Sequence, residues 1–234
     1  MEPTDWKSVG REALVFFSRI TASCTHELKN CLAVMNEQGN LLLELMEAAS
    51  DGREVPQSKL TDKARRLVAR VEETDRIIRR LNSFSHLADE DVAGLEAGGL
   101  LDLMVAMYRR LAQLAGVTLD LREGGEPLPL LANPYLLGQA LFACLEQAAG
   151  ACGPGSTLTV WVEPDAGGAR FSFAPAGEGG GRPAAGPSPG VLGALGARTS
   201  WDPAGVLQFW TPKRPPGLAS LKKDADGAVE TLLI

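Results

Sequence analysis

From Phe17 onward, seam positions recur at alternating spacings of four and three: Phe17, Thr21, Cys24, Leu28, Cys31, Met35, Gln38, Leu42 and Leu45. This heptad rhythm predicts a long helix whose apolar seam is interrupted mainly by Gln38. A second seam runs Leu60, Ala64, Leu67, Val71, Thr74, Ile78, Leu81. Between the two, Ser50-Asp51-Gly52 and Val55-Pro56 supply a stop, a turn and a restart. Two helices of roughly 30 residues, each about 45 Å long, form an antiparallel hairpin. Such a hairpin is too thin to bury both seams, so a second copy closing it into a dimeric four-helix bundle is the expected solution.

Beyond residue 92 the periodicity changes. Leu100–Leu114 has helical spacing, Val117–Leu121 alternates like a strand, and Tyr135–Ala149 reads as a helix between Asn133-Pro134 and Gly153-Pro154-Gly155. Thr157–Val162, Ala169–Phe173 and Val206–Trp210 alternate as strands, whereas residues 174–190 are Gly, Pro and Ala with little else and read as a loop. Helix, strand, helix, strand, strand, loop, strand predicts an α+β layer with helices on one sheet face. The expected domains are a helical dimerisation domain over 1–92, a small α/β sandwich over 93–214 and a mobile tail over 215–234.

Composition sharpens the boundary. Only three of the 26 Gly and two of the 15 Pro fall before residue 93, so helix breakers are sparse in the first part and dense in the second. Across the 234 residues, 45% are hydrophobic and 22% charged, enough to build a packed core. The net charge of −6 argues against broad attraction to nucleic acid or an anionic membrane. No stretch approaches a membrane span, and Met-Glu-Pro-Thr-Asp-Trp lacks the blocks of a signal peptide. Cys24, Cys31, Cys144 and Cys152 have no metal-ligand spacing and read as reduced thiols of a soluble, cytoplasmic protein, with Cys24 and Cys31 as small seam hydrophobes.

With Leu28 and Met35 at a and Cys24 and Cys31 at d, His26 falls at f, facing away from the seam. Asn30 follows one turn later at c, and Glu27 flanks the seam at g. An outward imidazole can act as a nucleophile, a neighbouring carboxylate can hold its proton, and an amide can orient a water or a phosphoryl oxygen. The same placement suits an ordinary solvated histidine, and spacing alone leaves both readings open. The second histidine, His86, ends the second seam and reads as a surface or capping residue.

The wording Thr25-His26-Glu27-Leu28-Lys29-Asn30-Cys31-Leu32-Ala33-Val34 resembles the H-box of bacterial sensor histidine kinases, with Cys31 in place of the family's proline. The resemblance implies that His26 is phosphorylated, that Glu27 assists proton transfer and that Asn30 supports dephosphorylation of the partner. It also implies docking of a response-regulator receiver domain beside the histidine. On this chain that outer stripe continues through Ala33, Glu37 and Asn40.

The second domain resembles the family's ATP-binding domain in degenerate form. Gln139–Ala148 aligns with the N-box helix, but Ala143 and Gln147 stand where the family has two asparagines. Phe171–Gly179 occupies the place of the adenine box without its aspartate, and Gly190–Gly196 is weakly similar to the phosphate-lid glycines or is simply a flexible loop. An adenine amino group needs an acceptor that Ala or Pro cannot supply.

Together these features resemble bacterial histidine phosphotransferases built from a hairpin and a degenerate ATP-binding domain. The expected activity is exchange of a phosphoryl group between His26 and a receiver aspartate by a homodimer. No cofactor is expected in this chain: ATP and autokinase activity are not expected, and the Mg²⁺ belongs to the receiver domain. No nucleic acid or membrane partner is expected. The alternatives are an ATP-dependent sensor kinase with a divergent nucleotide site, a receiver-domain phosphatase or sequestering dimer, and a purely structural dimerisation protein.

Overall fold

A computed structural model of the chain describes residues 6–122, 125–176 and 184–215. Two long helices come first, α1 (Trp6–Ser50) and α2 (Gln57–His86). They are followed by β1 (Ala93–Glu96), α3 (Ala97–Leu114), β2 (Thr118–Leu121), β3 (Pro129–Ala132), α4 (Pro134–Ala151), β4 (Thr157–Asp165), β5 (Gly168–Ala176), α5 (Pro189–Leu195), β6 (Arg198–Trp201) and β7 (Leu207–Pro212). The chain forms two compact units: a helical unit over Thr21–Asn82, and an α/β unit that gathers the described residues up to Ile20 and from Ser83 onward. The cuts fall inside both long helices rather than at residue 92. Among the described residues, no helix is long and apolar enough to cross a membrane.

In the helical unit α1 ends as its sequence dictates. Gly52 takes φ +80, its N–H donates to the Ala49 carbonyl, and the Arg53 N–H donates to Ala48. This is the paired closure that satisfies the last carbonyls of a helix. The two helices run antiparallel: Leu41, Glu44 and Leu45 face Lys59, Asp62 and Lys63 near the turn, whereas Cys24 at the far end feels the charge of Arg80. Cys24, Cys31, Gln38 and Ile77 are buried, and Leu28, Met35, Leu67 and Leu81 are half-buried. A second set of apolar residues stays in water: Leu32, Leu43 and Met46 on α1, and Val68, Val71 and Ile78 on α2, each more than half exposed.

The α/β unit is built on a five-stranded sheet of order β2-β4-β5-β7-β6, with β2 parallel to β4 and the other pairs antiparallel. A separate antiparallel pair joins β1 to β3. Leu158, Val160, Phe171, Phe173, Leu207 and Phe209 form the buried face of the sheet, against which α3 and α4 pack. On the other face Arg122 lies 4.5 Å over the Trp161 ring and Arg198 lies 3.9 Å over Trp210. Trp201 is exposed. Gly168 opens β5 where a Cβ would overlap the Thr211 carbonyl oxygen of β7, so only glycine lets the two backbones approach there.

Helix α1 begins at Trp6, because Val9, Phe16 and Ile20 are buried in the α/β unit. At the head of the seam Phe16 is the buried residue, and Phe17 is 46% exposed. The strands β1, β3 and β6, four residues each, carried too little periodicity to be read. Part of the Gly- and Pro-rich stretch is helical: Ser188 caps α5, Gly196 closes it at φ 63, and Val191 and Leu195 hold it to the core. The 215–234 tail lies outside the described residues except for Pro215.

Glu96 ties three segments together. Its carboxylate accepts from the Gly98 and Gly99 N–H groups at the start of α3 and from the Leu128 N–H across the chain. Burial pushes its pKa up, but the three donors outweigh burial and hold it below the ordinary glutamate value of 4.5. A depressed folded-state value means that the stabilisation is present above the unfolded pKa and fades as pH falls through the folded one. Glu96→Gln is therefore expected to lower stability near neutral pH by about 1 kcal/mol. The gap to wild type should close between about pH 6 and about pH 3 in urea titrations. A gap that does not change with pH would assign the loss to packing instead.

Candidate functional site

His26 sits in the helical unit with its side chain exposed, and Asn30, Ala33, Glu37 and Asn40 are exposed as well. At about 100° per residue these five positions fall within an arc of about 80°, running along about 21 Å of α1. The buried Cys24, Cys31 and Gln38 lie about 120–160° round the helix from His26. The structure thus brings His26, Asn30, Ala33, Glu37 and Asn40 onto one stripe. Glu27 stands apart, half-buried on the flank, where its charge acts on the Cys24 thiol. The Thr25 hydroxyl, beside the histidine, donates back to the Thr21 and Ala22 carbonyls at 2.8 and 3.1 Å. His86 is exposed at the end of α2, with its Nδ1 2.7 Å from Asp89 Oδ2.

In the α/β unit the N-box-like helix is α4. Asn133 caps it by accepting from the Leu136 N–H at 2.8 Å, with Pro134 in the first turn. Gln139, Ala143 and Glu146 share one face, which the opening turns of α1 cover. Glu146 pairs with Arg19 in a salt bridge, and the Tyr135 hydroxyl donates to the Ala13 carbonyl at 2.8 Å. Burial raises the Glu146 pKa and the Arg19 guanidinium opposes it, with the net shift upward. Gln147 is half-buried, its Oε1 has no hydrogen-bond partner, and its amide packs on Gly186. The adenine-box-like stretch Phe171–Ala176 runs as regular strand β5, paired to β4 from Val162 back to Thr157. Gly177–Gly179 lie outside the described residues. Gly190 and Gly193 belong to α5, with Gly196 as its cap.

The contacts of Arg19 and Tyr135 leave no mark in the sequence pattern. Arg19 stands off the heptad seam, and its partner Glu146 is far along the chain. Only the recurrence of Val9, Phe16 and Ile20 ahead of the seam signals that α1 has an earlier buried face.

No protein-family model and no curated protein matches this chain. Similar solved structures include the catalytic domain of histidine kinase ThkA, 16% identical, covering 54% of this chain and 99% of that one, with a TM-score of 0.44. A histidine kinase from Burkholderia phymatum is 16% identical over 85% of this chain and 98% of its own, with a TM-score of 0.45. Histidine kinase ThkA in complex with response regulator protein TrrA is also 16% identical, over 88% of this chain and 64% of its own, with a TM-score of 0.45.

Cys24 lies two residues from His26 and is buried. Burial first, and the Glu27 charge second, push its thiol up to about 11 against the partial relief of Arg80. Compared with a thiol at its ordinary value of 9.0, that leaves about a hundredfold less thiolate at neutral pH. Iodoacetamide should therefore modify Cys24 far more slowly in the folded protein than in urea, as read by peptide mass spectrometry. Rapid modification of the folded chain would contradict the burial.

Proposed function

We propose that this chain is a histidine phosphotransferase of a two-component phosphorelay, exchanging a phosphoryl group between His26 and the aspartate of a response-regulator receiver domain. One observation carries the reading: His26 and Asn30, within the H-box-like wording Thr25–Val34, share an exposed stripe on a long helix paired with a second. In this scheme a neutral imidazole nitrogen attacks the phosphorus of the receiver's acyl phosphate. The new N–P bond forms as the P–O bond to the aspartate breaks, and the aspartate leaves as a carboxylate. Glu27 turns from its half-buried flank to hold the proton on the other ring nitrogen, and Asn30 orients a phosphoryl oxygen. Charge on the transferred group would be neutralised by Mg²⁺ bound to the receiver, so this chain contributes mainly a positioned nucleophile. No nucleotide enters the scheme. Both directions of transfer, and hydrolysis by a water held at Asn30, use the same surface.

The working form is proposed to be a homodimer. Leu32, Leu43 and Met46 on α1 with Val68, Val71 and Ile78 on α2 leave more apolar surface in water than a pair of helices can cover. Light scattering at micromolar concentration should give twice the chain mass, and a monomer would refute the dimer.

Substitutions on the stripe separate the roles. His26→Gln should abolish acceptance of phosphate from a phosphorylated receiver, assayed as acid-labile label, while leaving receiver binding largely intact. Ala33→Arg should leave the dimer intact and weaken receiver binding at least tenfold, about 1.4 kcal/mol. Neither exposed change should alter folding stability by more than about 0.5 kcal/mol. Continued labelling of His26→Gln would overturn the mechanism, and unaltered binding by Ala33→Arg would overturn the docking face.

A further inference from the structure

We propose that a cleft in the α/β unit, formed by the opening turns of α1 with α4 and α5, binds a small amphipathic monoanion. Its acidic head would lie on Arg11, its apolar body against Phe16, Phe142 and Val191, and an N–H or O–H group would reach Gln139. The site goes beyond the phosphotransfer reading and uses none of its residues.

The cleft has a volume of about 510 Å³, within the usual range for small-molecule sites. Its walls are largely apolar: Val15, Phe16, Ala140, Phe142, Ala143 and Val191. Among its charged groups, Arg19 is committed to Glu146, and Glu12 accepts a hydrogen bond from Ser8 at 3.2 Å. Arg11 has no ion-pair or hydrogen-bond partner among the described residues, which leaves it as the uncommitted cation of the site.

Gln139 is the second, independent observation. It lines the same cleft, is only 7% exposed, and its Oε1 makes no hydrogen bond. An acceptor buried without a donor is costly and uncommon, and native structures usually satisfy it with a neighbour, a water or a ligand. The oxygen is closed off from solvent in the empty cleft, so a turn of the Gln139 amide would bring it to a donor on an apolar molecule held against the hydrocarbon walls.

The charge pattern also sets the class of ligand. Two carboxylates, Glu12 and Glu146, line the cleft with one uncommitted guanidinium. A single negative charge is matched by Arg11, whereas the several charges of a nucleoside triphosphate would face both carboxylates in a partly desolvated space. The expected ligands are therefore carboxylates or sulfonates with an aromatic or aliphatic body.

Anilinonaphthalene sulfonate has the required parts: one sulfonate, a fused aromatic body and one N–H donor. Titrated into the full chain, it should give a saturable fluorescence rise with one site per chain, displaced by naphthylacetate and not by Mg-ATP. Arg11→Gln should weaken binding at least fivefold. Gln139→Leu, which replaces the amide with an apolar group of similar size, should weaken it while leaving thermal stability intact or raised. Ala143→Phe, which fills the cleft, should abolish the site with near-ultraviolet circular dichroism unchanged. Dye binding insensitive to all three substitutions would place it on the apolar faces of the helical unit and overturn the proposal. Absence of saturable binding would also overturn it, and Arg11-dependent displacement by Mg-ATP would overturn the monoanion assignment. Each outcome is read without phosphotransfer, so failure here is distinguishable from failure of the His26 mechanism.

Discussion

Helix α4 is apolar round most of its circumference, and the architecture of the α/β unit follows from keeping water away from it. Leu137, Ala140, Leu141, Phe142, Cys144, Leu145 and Ala148 are all buried along its length. A helix apolar on every side needs cover on every side. The sheet covers one face, through β5 and β7, while α3 and α5 pack on others. The opening turns of α1 close the side that carries Phe142. There Phe16 lies 5.2 Å from the Phe142 ring, 5.3 Å from Phe84 and 5.5 Å from Tyr135, in edge-on and tilted contacts that aromatic rings favour. Truncating a side chain so enclosed costs about 3–5 kcal/mol, a large share of the stability of a single domain.

That requirement explains why α1 is 45 residues long when its heptad seam accounts for fewer. Its buried residues in the α/β unit, Val9, Phe16 and Ile20, and those in the helical unit, Cys24, Cys31 and Gln38, fall on one continuous stripe of the helix. No break or change of face is needed, and none of the residues after Gly10 up to Ser50 is a proline to force one. The same stripe logic leaves the arc of His26 and Asn30 in solvent. Exposure of the candidate nucleophile is thus a consequence of which residues the helix must bury.

What could be read from sequence divides along the same physical line. The first seam, α3, α4, β2, β4, β5 and β7 carry their own periodicity, and Asn133-Pro134 and Asp51-Gly52 mark ends by local chemistry, so these elements were legible; on α2 the helix was legible but its face was not, since Ile77 is buried while the seam positions Val71 and Ile78 are exposed. The His26 stripe was legible too, since the angular position of an exposed residue on a helix needs only arithmetic. The start of α1 was not, because its first turns owe their burial to α4, more than a hundred residues away. The strands β1, β3 and β6 show too few alternations, and α5 is held by Val191 and Leu195 in a segment whose Gly and Pro content argues for a loop. The Arg11–Gln139 cleft joins residues with no sequence relation, and no single-chain pattern could announce it.

The surface around His26 also limits what this chain can do by itself. A helix face is convex, and the stripe of His26, Asn30, Ala33, Glu37 and Asn40 offers a nucleophile, an amide and a carboxylate without walls around them. Phosphoryl transfer depends on in-line positioning and on neutralising charge on the transferred group, both of which need a concave, partly dry environment. A convex site meets those needs only when a second surface covers it. The small side chain of Ala33, one turn beyond Asn30, leaves room for such a surface to come close. Polar neighbours on the same stripe, with little apolar area, suit contacts that form and release quickly rather than a permanent interface. The proposed relay role requires exchange of partners within a working cycle, and a nucleophile displayed in this way is suited to it.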